Sequence, residues 1–593
     1  MKPKPAHRAT PPRRPVAVAV ATEEPGPRPR RGWGIWYALG ILAAAFLLYA
    51  RSLNGAFLFD DADILEANSS VRLKDWWIIL TGPRPLLILT YALNHWLTGA
   101  NTFYFHLVNV LLHGLNALIL WRVVGGICRG PALARRLAPA ARGLIEWAAP
   151  LLFLATPLQT ESVSYISSRS ELMAAFFYLL ALWVFVSGWR EKRPWLAAVL
   201  AAAFYGCSVT SKQHGLTLPF AILLIDWFFL AGQDWRRVAG NWRVYALLGA
   251  EMAAGGFVVV RAVINVPSAG FFLREVSWQD YLLTQFRMYF LYLRLLIVPF
   301  GLNADYDIQP SRSLFEHGSW LALAGILALA GAAWNFRRRA PLASFGVLFF
   351  FLALAPTSSF FPLLDYAAER RLYLPSAGFF LALLGLAAAR WGGSRLLAAA
   401  VGATLAVYAV GTHARNRVWQ DPLALWQDAS VKSPGKWRAH NNLGYEYSQR
   451  KKFVEAIGAF ERAAELAPPG TKNQAEILSS LGSAYANQGR YEEAVGVYKK
   501  ALAMAPDIST LWTNLGVAEV RLNRAEGWER FQKAIELNGL AWEPHFARGN
   551  LYYEQRRFEE AVRDYERVLY LRPDHGDARH NLQAARAMRA LSK

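Results

Sequence analysis

Residues 487–506 read NQGRYEEAVGVYKKALAMAP, and residues 554–573 read EQRRFEEAVRDYERVLYLRP. Both stretches place aromatic residues, a Glu-Glu-Ala-Val run and a closing proline at the same positions. Leu-Gly pairs at 443–444, 481–482 and 515–516, followed by the glycine at 549, mark the same unit along the chain. A period near 34 residues predicts a helical hairpin that repeats and stacks on its neighbours, since one hairpin cannot bury its apolar face alone.

This pattern is typical of the tetratricopeptide repeat (TPR). We predict four repeats over residues 434–593, with a capping helix from about 575 to 591. The third unit is one residue short between Arg524 and Phe531, so its turn should be irregular. The concave face of such a solenoid usually binds a peptide or protein, and a passive spacer is the alternative.

The chain ahead of the repeats differs in composition from a soluble domain. Of all 593 residues, 54% are hydrophobic and 18% charged, and long apolar runs recur from Gly34 to Thr412. Runs of this length predict membrane-spanning helices. Residues 1–32 hold eight prolines and eight lysines or arginines, a composition that predicts a disordered, basic cytoplasmic tail.

Basic connectors between the apolar runs predict the topology. They should all face the cytoplasm under the positive-inside rule, and they lie at 122–143, 190–193, 236–243, 337–339 and 390–395. Twelve apolar segments are present, but these constraints permit eleven crossings. We expect the segment 281–299, which carries Arg287 and Arg294 on one helical face, to lie against the outer face or to line a watery cavity.

The sequence therefore predicts an all-α protein, a polytopic membrane bundle of about eleven crossings followed by a TPR α-solenoid. The bundle should span residues 33–412, with a first outer loop at 51–104 and a junction at 413–433. The net charge of +21 resides largely in short connectors rather than in a basic stripe interleaved with aromatics, so we expect the bilayer as a partner and no nucleic acid. The only cysteines, Cys128 and Cys207, provide no disulfide framework.

The first outer loop contains FDDAD, with Asp60, Asp61 and Asp63. Adjacent carboxylates resist being ionised together, which suits a general base or a metal ligand. A solvated turn or a helix cap is the alternative. No His/Cys metal-ligand spacing supports a metal site, so a divalent metal requirement stays open, and no nucleotide-binding or hydrolase motif is present.

Further polar residues are predicted to lie at the same face. One helical stripe carries His106, Asn109, His113 and Asn116. These side chains either form hydrogen bonds between helices or line a polar cavity. Cations in the outer connectors could bind an anionic lipid-linked phosphate, and the acids beside them favour a transfer reaction with a lipid phosphate as leaving group, although each residue alone could belong to a solvated rim. These residues are Glu161, Arg169, Lys212, Asp305, Asp307, Glu369, Arg370 and Arg371, together with Arg287 and Arg294 on the segment at 281–299.

Several motifs, in order along the chain, resemble the transmembrane-and-tetratricopeptide O-mannosyltransferases (TMTC type). They are FDDADI at 59–64, FHLVNVLLH at 105–113, TESVSYISSRSELMA at 160–174, SKQHGLTLPFAILLID at 211–226, AERRLYLPSAGF at 368–379 and RNRVWQDPLALW at 415–426. The resemblance implies a GT-C fold, a polyprenyl-phosphate sugar as donor and a Ser or Thr hydroxyl as acceptor. It maps Asp60 and Asp61 onto the family's acidic pair. The chain departs from the family at Gln213, where Glu is common, and at Thr156-Pro157, where His-Pro is common.

Residues and resemblance together predict an inverting membrane glycosyltransferase, with mannose as the favoured sugar and no cofactor assigned beyond the polyprenyl-phosphate co-substrate. The proposed phosphate-binding residues are Lys212, Arg287, Arg294, Arg370 and Arg371, and the cavity-lining residues are His106, Asn109, His113, Glu161, Arg169 and Glu369. The TPR groove would hold a protein or peptide acceptor. Non-catalytic alternatives are a TPR scaffold for envelope complex assembly and a transporter, although the latter predicts symmetric halves that the sequence lacks.

The predicted location is the bacterial inner membrane with a periplasmic TPR domain, because the chain is rich in Ala and Arg and its outer loops are short. In a eukaryote the same topology would place the repeats in the lumen of the endoplasmic reticulum.

Overall fold

The computed structural model describes residues 33–61, 77, 79, 82, 84–191, 193–263, 270 and 276–592. The predicted tail at 1–32, Asp63 and much of the first outer loop lie outside these described residues. No β-strand occurs within the described part of the chain, which confirms the all-α fold class.

Thirteen main helices form the part of the chain before the repeats. They are α1 (Trp33–Tyr49), α2 (Pro85–Thr98), α3 (Thr102–Cys128), α4 (Pro139–Ala155), α5 (Arg169–Arg190), α6 (Pro194–Ser211), α7 (Leu218–Ile225, continued by a π-helical turn at Asp226–Leu230), α8 (Trp242–Val263), α9 (Trp278–Ile297), α10 (Ser319–Phe336), α11 (Pro341–Leu354), α12 (Pro375–Trp391) and α13 (Arg395–Val418). Six helical segments of the described chain are long and apolar enough to cross a membrane, and three shorter ones are also apolar. The outer end of the bundle is defined as the end that carries Asp60, and the inner end is the opposite one.

Close helix packing in the bundle depends on small residues. A Cβ added at Gly378 of α12 would lie 2.7 Å from the carbonyl oxygen of Gly346 of α11, and a Cβ at Gly346 would meet the carbonyl oxygen of Gly378 in turn. The two helices therefore contact each other backbone to backbone, a geometry that membrane helices reach through glycine.

Helix α9, which carries the two arginines of segment 281–299, contacts connectors at the outer end. The Tyr281 hydroxyl donates to the Thr357 carbonyl at 2.6 Å, and the Gln285 side-chain amide donates to the Tyr366 carbonyl at 2.9 Å. Both acceptors follow the outer end of α11. These contacts show that α9 packs against connectors at the outer end. The expectation that this segment does not cross the bilayer stays a prediction.

The C-terminal part is a stack of paired helices. The junction helix is α14 (Pro422–Lys432), and the hairpin helices are α15 (Trp437–Gln449), α16 (Phe453–Leu466), α17 (Lys472–Asn487), α18 (Tyr491–Met504), α19 (Ser509–Arg521), α20 (Glu526–Leu537), α21 (Glu543–Glu554) and α22 (Phe558–Leu571), followed by the final helix α23 (Gly576–Leu591). The repeated glycines admit the repeated aromatic rings, since a Cβ at Gly482 would lie 2.5 Å from the Tyr498 ring. Leu-Gly and aromatic positions thus recur together because they pack on each other within a hairpin.

The turn of the third hairpin differs from the other three. Lys451, Gly489 and Arg556 adopt positive φ two residues before the second helix of their hairpins, whereas Asn523 adopts it three residues before α20. Helix α20 has 12 residues, compared with 14 in each other second helix. The irregularity falls where the sequence of this repeat is one residue short.

The solenoid begins directly against the outer end of the bundle. Arg415 of α13 pairs with Asp428 of the junction helix at 2.6 Å, and the Lys432 ammonium donates to the Leu302 carbonyl at 2.7 Å. Trp419, between the two helices, is 1% exposed. These contacts place the first TPR helix beside the outer connectors, where the candidate site lies.

Candidate functional site

Asp61 is a buried carboxylate that fixes the conformation of the first outer loop. Its Oδ1 accepts hydrogen bonds from the Ser167 amide, at 2.8 Å, and from the Ser167 hydroxyl, while its Oδ2 accepts from the Leu58 amide at 3.0 Å. Burial raises the pKa of Asp61 to about 6, although these hydrogen bonds act in the opposite direction. Both of its oxygens are engaged, so Asp61 holds two connectors together.

Asp60 is exposed and lines a cavity of about 640 Å³ at the outer end, which we call the outer cavity. Its wall on the bundle side includes Tyr165, Asp365 and Arg370. The opposite wall comes from the solenoid and includes Arg438, Asn441, Asn442, Tyr445 and Ser480. A free carboxylate and a guanidinium thus share a polar space into which the first two repeats project.

Arg370 is the cation of the bundle that lines this cavity. Its guanidinium pairs with Glu161 and lies 3.5 Å from Asp365, and its backbone amide donates to the second Glu161 oxygen at 2.8 Å. The Arg370 side chain is 29% exposed, whereas Glu161 is buried. An incoming anion could therefore reach Arg370 from the cavity while Glu161 keeps the guanidinium in place.

A chain of ion pairs joins Arg370 to the first TPR helix. Arg438 of α15 contacts both oxygens of Asp305, at 2.8 and 2.7 Å, and also Asp365 at 2.6 Å. Although burial acts to raise it, Arg438 and Arg370 hold the pKa of Asp365 below its usual range. The two domains therefore meet through charges that end at the outer cavity.

Lys212 belongs to a separate cluster at the outer ends of α5 and α6. Its ammonium pairs with Glu171, whose other oxygen lies 3.2 Å from Nδ1 of His214. Burial lowers the pKa of Lys212 to about 8, against the opposing effect of Glu171. Lys212 is not among the residues that line the outer cavity, and its assignment to donor phosphate stays a prediction.

The other predicted phosphate-binding arginines lie elsewhere. Arg287 donates to the Gln309 carbonyl at 3.0 Å, and Arg294 is exposed on α9. The Arg371 guanidinium is buried and donates to the Asp365 carbonyl at 2.5 Å and to two further carbonyl oxygens. None of the three is among the residues that line the outer cavity, and their assignment to donor phosphate stays a prediction that this geometry does not favour.

The polar stripe of α3 is buried between helices. Asn109 accepts from the fully buried Arg169 at 2.9 Å and donates to the Val163 carbonyl at 3.2 Å. His113 lies 2.8 Å from the Tyr373 hydroxyl. His106 is also buried, with its ring beside Gly55. Through Asn109 and His113, the stripe joins α3 to the outer connectors, which corresponds to the hydrogen-bonding alternative for these two residues.

Glu369 connects the AERRLY segment to the junction. Its Oε1 accepts from the Asn303 amide at 2.5 Å and from the Tyr306 hydroxyl at 2.8 Å. Burial raises the pKa of Glu369 to about 7, with Arg415 acting in the opposite direction. The contacts of Glu369 position the loop that carries Asp305, whereas the cavity itself is lined by its neighbour Arg370.

Four residues of this region were not predicted as site residues: Tyr165, Glu171, Asp365 and Arg438. Asp365 and Arg438 are 73 residues apart in sequence and belong to different domains, so no local pattern indicates their pairing. Glu171 could have been found, because it lies within the quoted motif at 160–174. Across the described residues, no group of three or more His, Cys, Asp or Glu side chains is arranged to hold a metal ion.

The chain is similar to known proteins both in its repeats and over most of its length. Models described as tetratricopeptide repeat match residues 437–507 and 542–575. The human protein O-mannosyl-transferase TMTC4 is 25% identical to this chain over 487 residues, which cover 71% of this chain and 65% of the relative. The Caenorhabditis elegans protein O-mannosyl-transferase F38B6.6 is 26% identical over 465 residues, which cover 74% and 64%. The chain is similar to the TMTC protein O-mannosyl-transferases.

This finding confirms the resemblance that the motifs carry. The chain spans just under two thirds of the length of these two relatives. Among solved structures, the first TPR domain of the human RPAP3 protein is 31% identical over a match that covers 20% of this chain and 95% of that domain, with a TM-score of 0.19.

Proposed function

We propose that the protein is a membrane glycosyltransferase that moves a sugar, with mannose favoured, from a polyprenyl-phosphate donor to a Ser or Thr hydroxyl of a protein acceptor. One observation carries the proposal: Asp60 and Arg370 line a single cavity whose other wall is the start of the TPR solenoid. A base, a phosphate-binding cation and a protein-binding surface are the three components that such a transfer needs. Similarity to proteins named O-mannosyl-transferases supports the reaction class.

In the proposed reaction, Asp60 accepts the proton of the acceptor hydroxyl as its oxygen attacks the anomeric carbon. The bond between that carbon and the phosphate oxygen breaks, and its electron pair leaves with the polyprenyl phosphate. Arg370 stabilises the departing negative charge. Attack opposite the leaving group inverts the configuration at the anomeric carbon, and the mechanism needs no covalent enzyme intermediate.

Asp61 is assigned a positioning role in this mechanism. Because its oxygens accept from Ser167 and Leu58, it fixes the turn that presents Asp60 to the cavity. A base that is already oriented loses less entropy on reaching the transition state.

The donor would approach from the bilayer, and the acceptor from the solenoid. Asn441 and Asn442 of the first TPR helix can donate to and accept from an extended peptide backbone, and Tyr445, which is 56% exposed, offers an aromatic surface. Holding the acceptor next to Asp60 would raise its effective concentration at the base.

The proposed location follows from charge. The connectors at the inner end are basic, so the positive-inside rule directs that end to the cytoplasm and the outer cavity to the periplasm of a bacterium or to the lumen of the endoplasmic reticulum. We favour the bacterial inner membrane.

The experiment is a transfer assay with the purified full-length protein in lipid nanodiscs. Polyprenyl-phosphate mannose is compared with the glucose form as donor, and Ser/Thr-containing peptides with their Ala counterparts as acceptors. We expect the wild type to glycosylate the hydroxyl peptides, Asp60→Asn to lose at least about 100-fold in rate, and Glu316→Gln, a control at an exposed outer carboxylate that does not line the cavity, to stay near wild type. An Asp60→Asn protein with full activity would contradict the proposed base, and a protein that transfers nothing yet captures envelope proteins would support the scaffold alternative.

A further inference from the structure

A second cavity lies at the inner end of the bundle, away from Asp60. It has a volume of about 500 Å³, and we call it the inner cavity. Four arginines from three separate connectors converge on it: Arg135, Arg136, Arg237 and Arg338. Phe228, Phe229 and Leu230, at the end of helix α7, also border it; the two phenylalanines are fully buried, and Leu230 is partly exposed.

The cations of the inner cavity are poorly neutralised by the protein. Among the described residues, the only ion pair that involves any of the four arginines is between Arg237 and Asp234, at 3.6 Å. All four arginine residues are exposed. The positive-inside rule explains why basic residues occur at this end, but it does not explain why three connectors bring four guanidinium groups around one cavity. A guanidinium can donate two parallel hydrogen bonds to the oxygens of a phosphate, so a phosphate is a suitable ligand.

The surrounding aromatic residues indicate the level of lipid headgroups. Trp227 stacks on Trp235 and on Trp334, with ring centroids 5.3 and 5.4 Å apart, and the Arg337 guanidinium lies 4.3 Å from the Trp334 ring. Tryptophan is enriched where a bilayer meets water. Trp235 and Trp334 are both about half exposed, at 53% and 49%, as expected for side chains in contact with lipid at that level.

We propose that the inner cavity binds the phosphate of an anionic phospholipid, with its headgroup among the four arginines and its acyl portion towards Leu230 and the half-exposed Trp235 and Trp334. The phosphate would add to the contacts that already join these connectors, such as the hydrogen bond of 2.7 Å from the Gln233 side-chain amide to the Arg337 carbonyl. Binding would therefore stabilise the inner end of the bundle. The proposal is independent of the proposed transfer reaction, because the two cavities lie at opposite ends.

The test compares lipids on the full-length purified protein. Native mass spectrometry counts the lipid molecules retained after titration with phosphatidylglycerol or with neutral phosphatidylcholine, and a thermal unfolding scan measures stabilisation. Free glycerol phosphate provides the headgroup without acyl chains. We expect one phosphatidylglycerol to be retained and to raise the unfolding temperature, whereas glycerol phosphate at the same concentration should do neither. Equal effects of glycerol phosphate and lipid would overturn the assignment to a lipid.

A matched pair of variants separates the cavity from general surface charge. The cavity variant replaces Arg135, Arg136 and Arg338 by Gln, and the control replaces Arg193, Arg390 and Arg395, which are exposed connector residues at the same end. We expect the cavity variant to bind phosphatidylglycerol about tenfold more weakly or worse, and the control to bind as the wild type does. Equal weakening in both variants would overturn the proposal. If the triple variant does not fold, Arg338→Gln alone should give a smaller loss in the same direction, and unchanged binding by this variant would contradict the proposal.

Discussion

Asp60 and Asp61 are adjacent in the chain, yet only Asp60 is open to the outer cavity. The preceding residue, Phe59, adopts φ of +48°, an uncommon conformation for a residue with a side chain. That turn accompanies the divergence of the two carboxylates, with Asp61 buried against Ser167 and Asp60 facing the cavity. Backbone strain of this kind is tolerated where the surrounding structure holds it in place.

The pKa of Asp61 predicts how activity depends on pH. Its folded-state pKa of about 6 exceeds the ordinary value of 3.8, so the contribution of this carboxyl to stability is greatest below about pH 4 and declines as the pH rises to about 6. The ionised form, which best accepts the hydrogen bonds from Ser167, prevails only above about pH 6. We therefore expect the transfer rate to fall as the pH is lowered through 6.

Initial rates between pH 4.5 and 8 would measure this dependence. The control is Glu369→Gln, because Glu369 is the other outer carboxyl whose pKa is raised, to about 7. The fall near pH 6 should persist in that variant. A rate that stays constant down to pH 5 would contradict the role given to Asp61.

Arg438 shows how a solenoid residue can act on the bundle. Without its guanidinium, Asp365 would lose its closest cationic partner and would attract Arg370 more strongly, in competition with the phosphate of the proposed donor. We expect Arg438→Met to weaken apparent donor affinity about tenfold with a smaller effect on kcat, as measured by varying donor at saturating acceptor. Arg548→Met is the matched control, since Arg548 makes a similar two-bond contact with Asp564 in the fourth repeat. Equal changes in both variants would indicate a loss of solenoid stability alone.

At the scale of elements, the glycines of α11 and α12 determine how closely the two helices approach. A methyl group at Gly346 or Gly378 would enter the backbone of the opposite helix, and flexible side chains cannot relieve that contact. We expect Gly346→Ala to destabilise the bundle by about 1 to 3 kcal/mol, seen as a lower unfolding temperature in detergent. Gly402→Ala in α13 is the control, because no atom lies within 4 Å of its added Cβ. Similar stability of the two variants would contradict this packing.

The helices and the repeats could be predicted from the sequence because the patterns that indicate them are local. The hairpins follow from a repeated spacing, and the membrane helices from apolar length, so the fold class could be predicted without tertiary information. The site was predictable only in part. The packing of connectors that are distant in sequence brings Asp60 and Arg370 to one cavity. The sequence identified both as candidates, but it could not show that Arg287, Arg294 and Arg371 lie elsewhere.

The buried stripe of α3 illustrates the limit of periodicity. His106, Asn109, His113 and Asn116 fall on one helical face in any α-helix, but periodicity does not show what that face contacts. In the structure, the face meets Arg169, Tyr373 and carbonyl groups of the outer connectors. Polar groups were required there because those connectors are irregular and carry backbone groups that need partners.

At the scale of the whole molecule, the chain joins a membrane bundle to a solenoid through one charged contact region, and the outer cavity lies where they meet. Neither domain alone provides this cavity, because Asp60 and Arg370 come from one domain and Asn441 and Tyr445 from the other. The proposed transfer therefore requires the acceptor to occupy the outer cavity.

A bulky group in the outer cavity should block access of the acceptor to Asp60. In a Cys207→Ser background, where the remaining Cys128 is buried, Tyr445→Cys is labelled with a bulky maleimide, and transfer from polyprenyl-phosphate mannose to a hydroxyl peptide is measured before and after labelling. The control is Val454→Cys, at a solenoid residue that is 71% exposed and not part of the cavity wall. We expect the label at position 445 to abolish transfer and the label at 454 to leave it unchanged. Undiminished transfer with position 445 fully labelled would contradict the account.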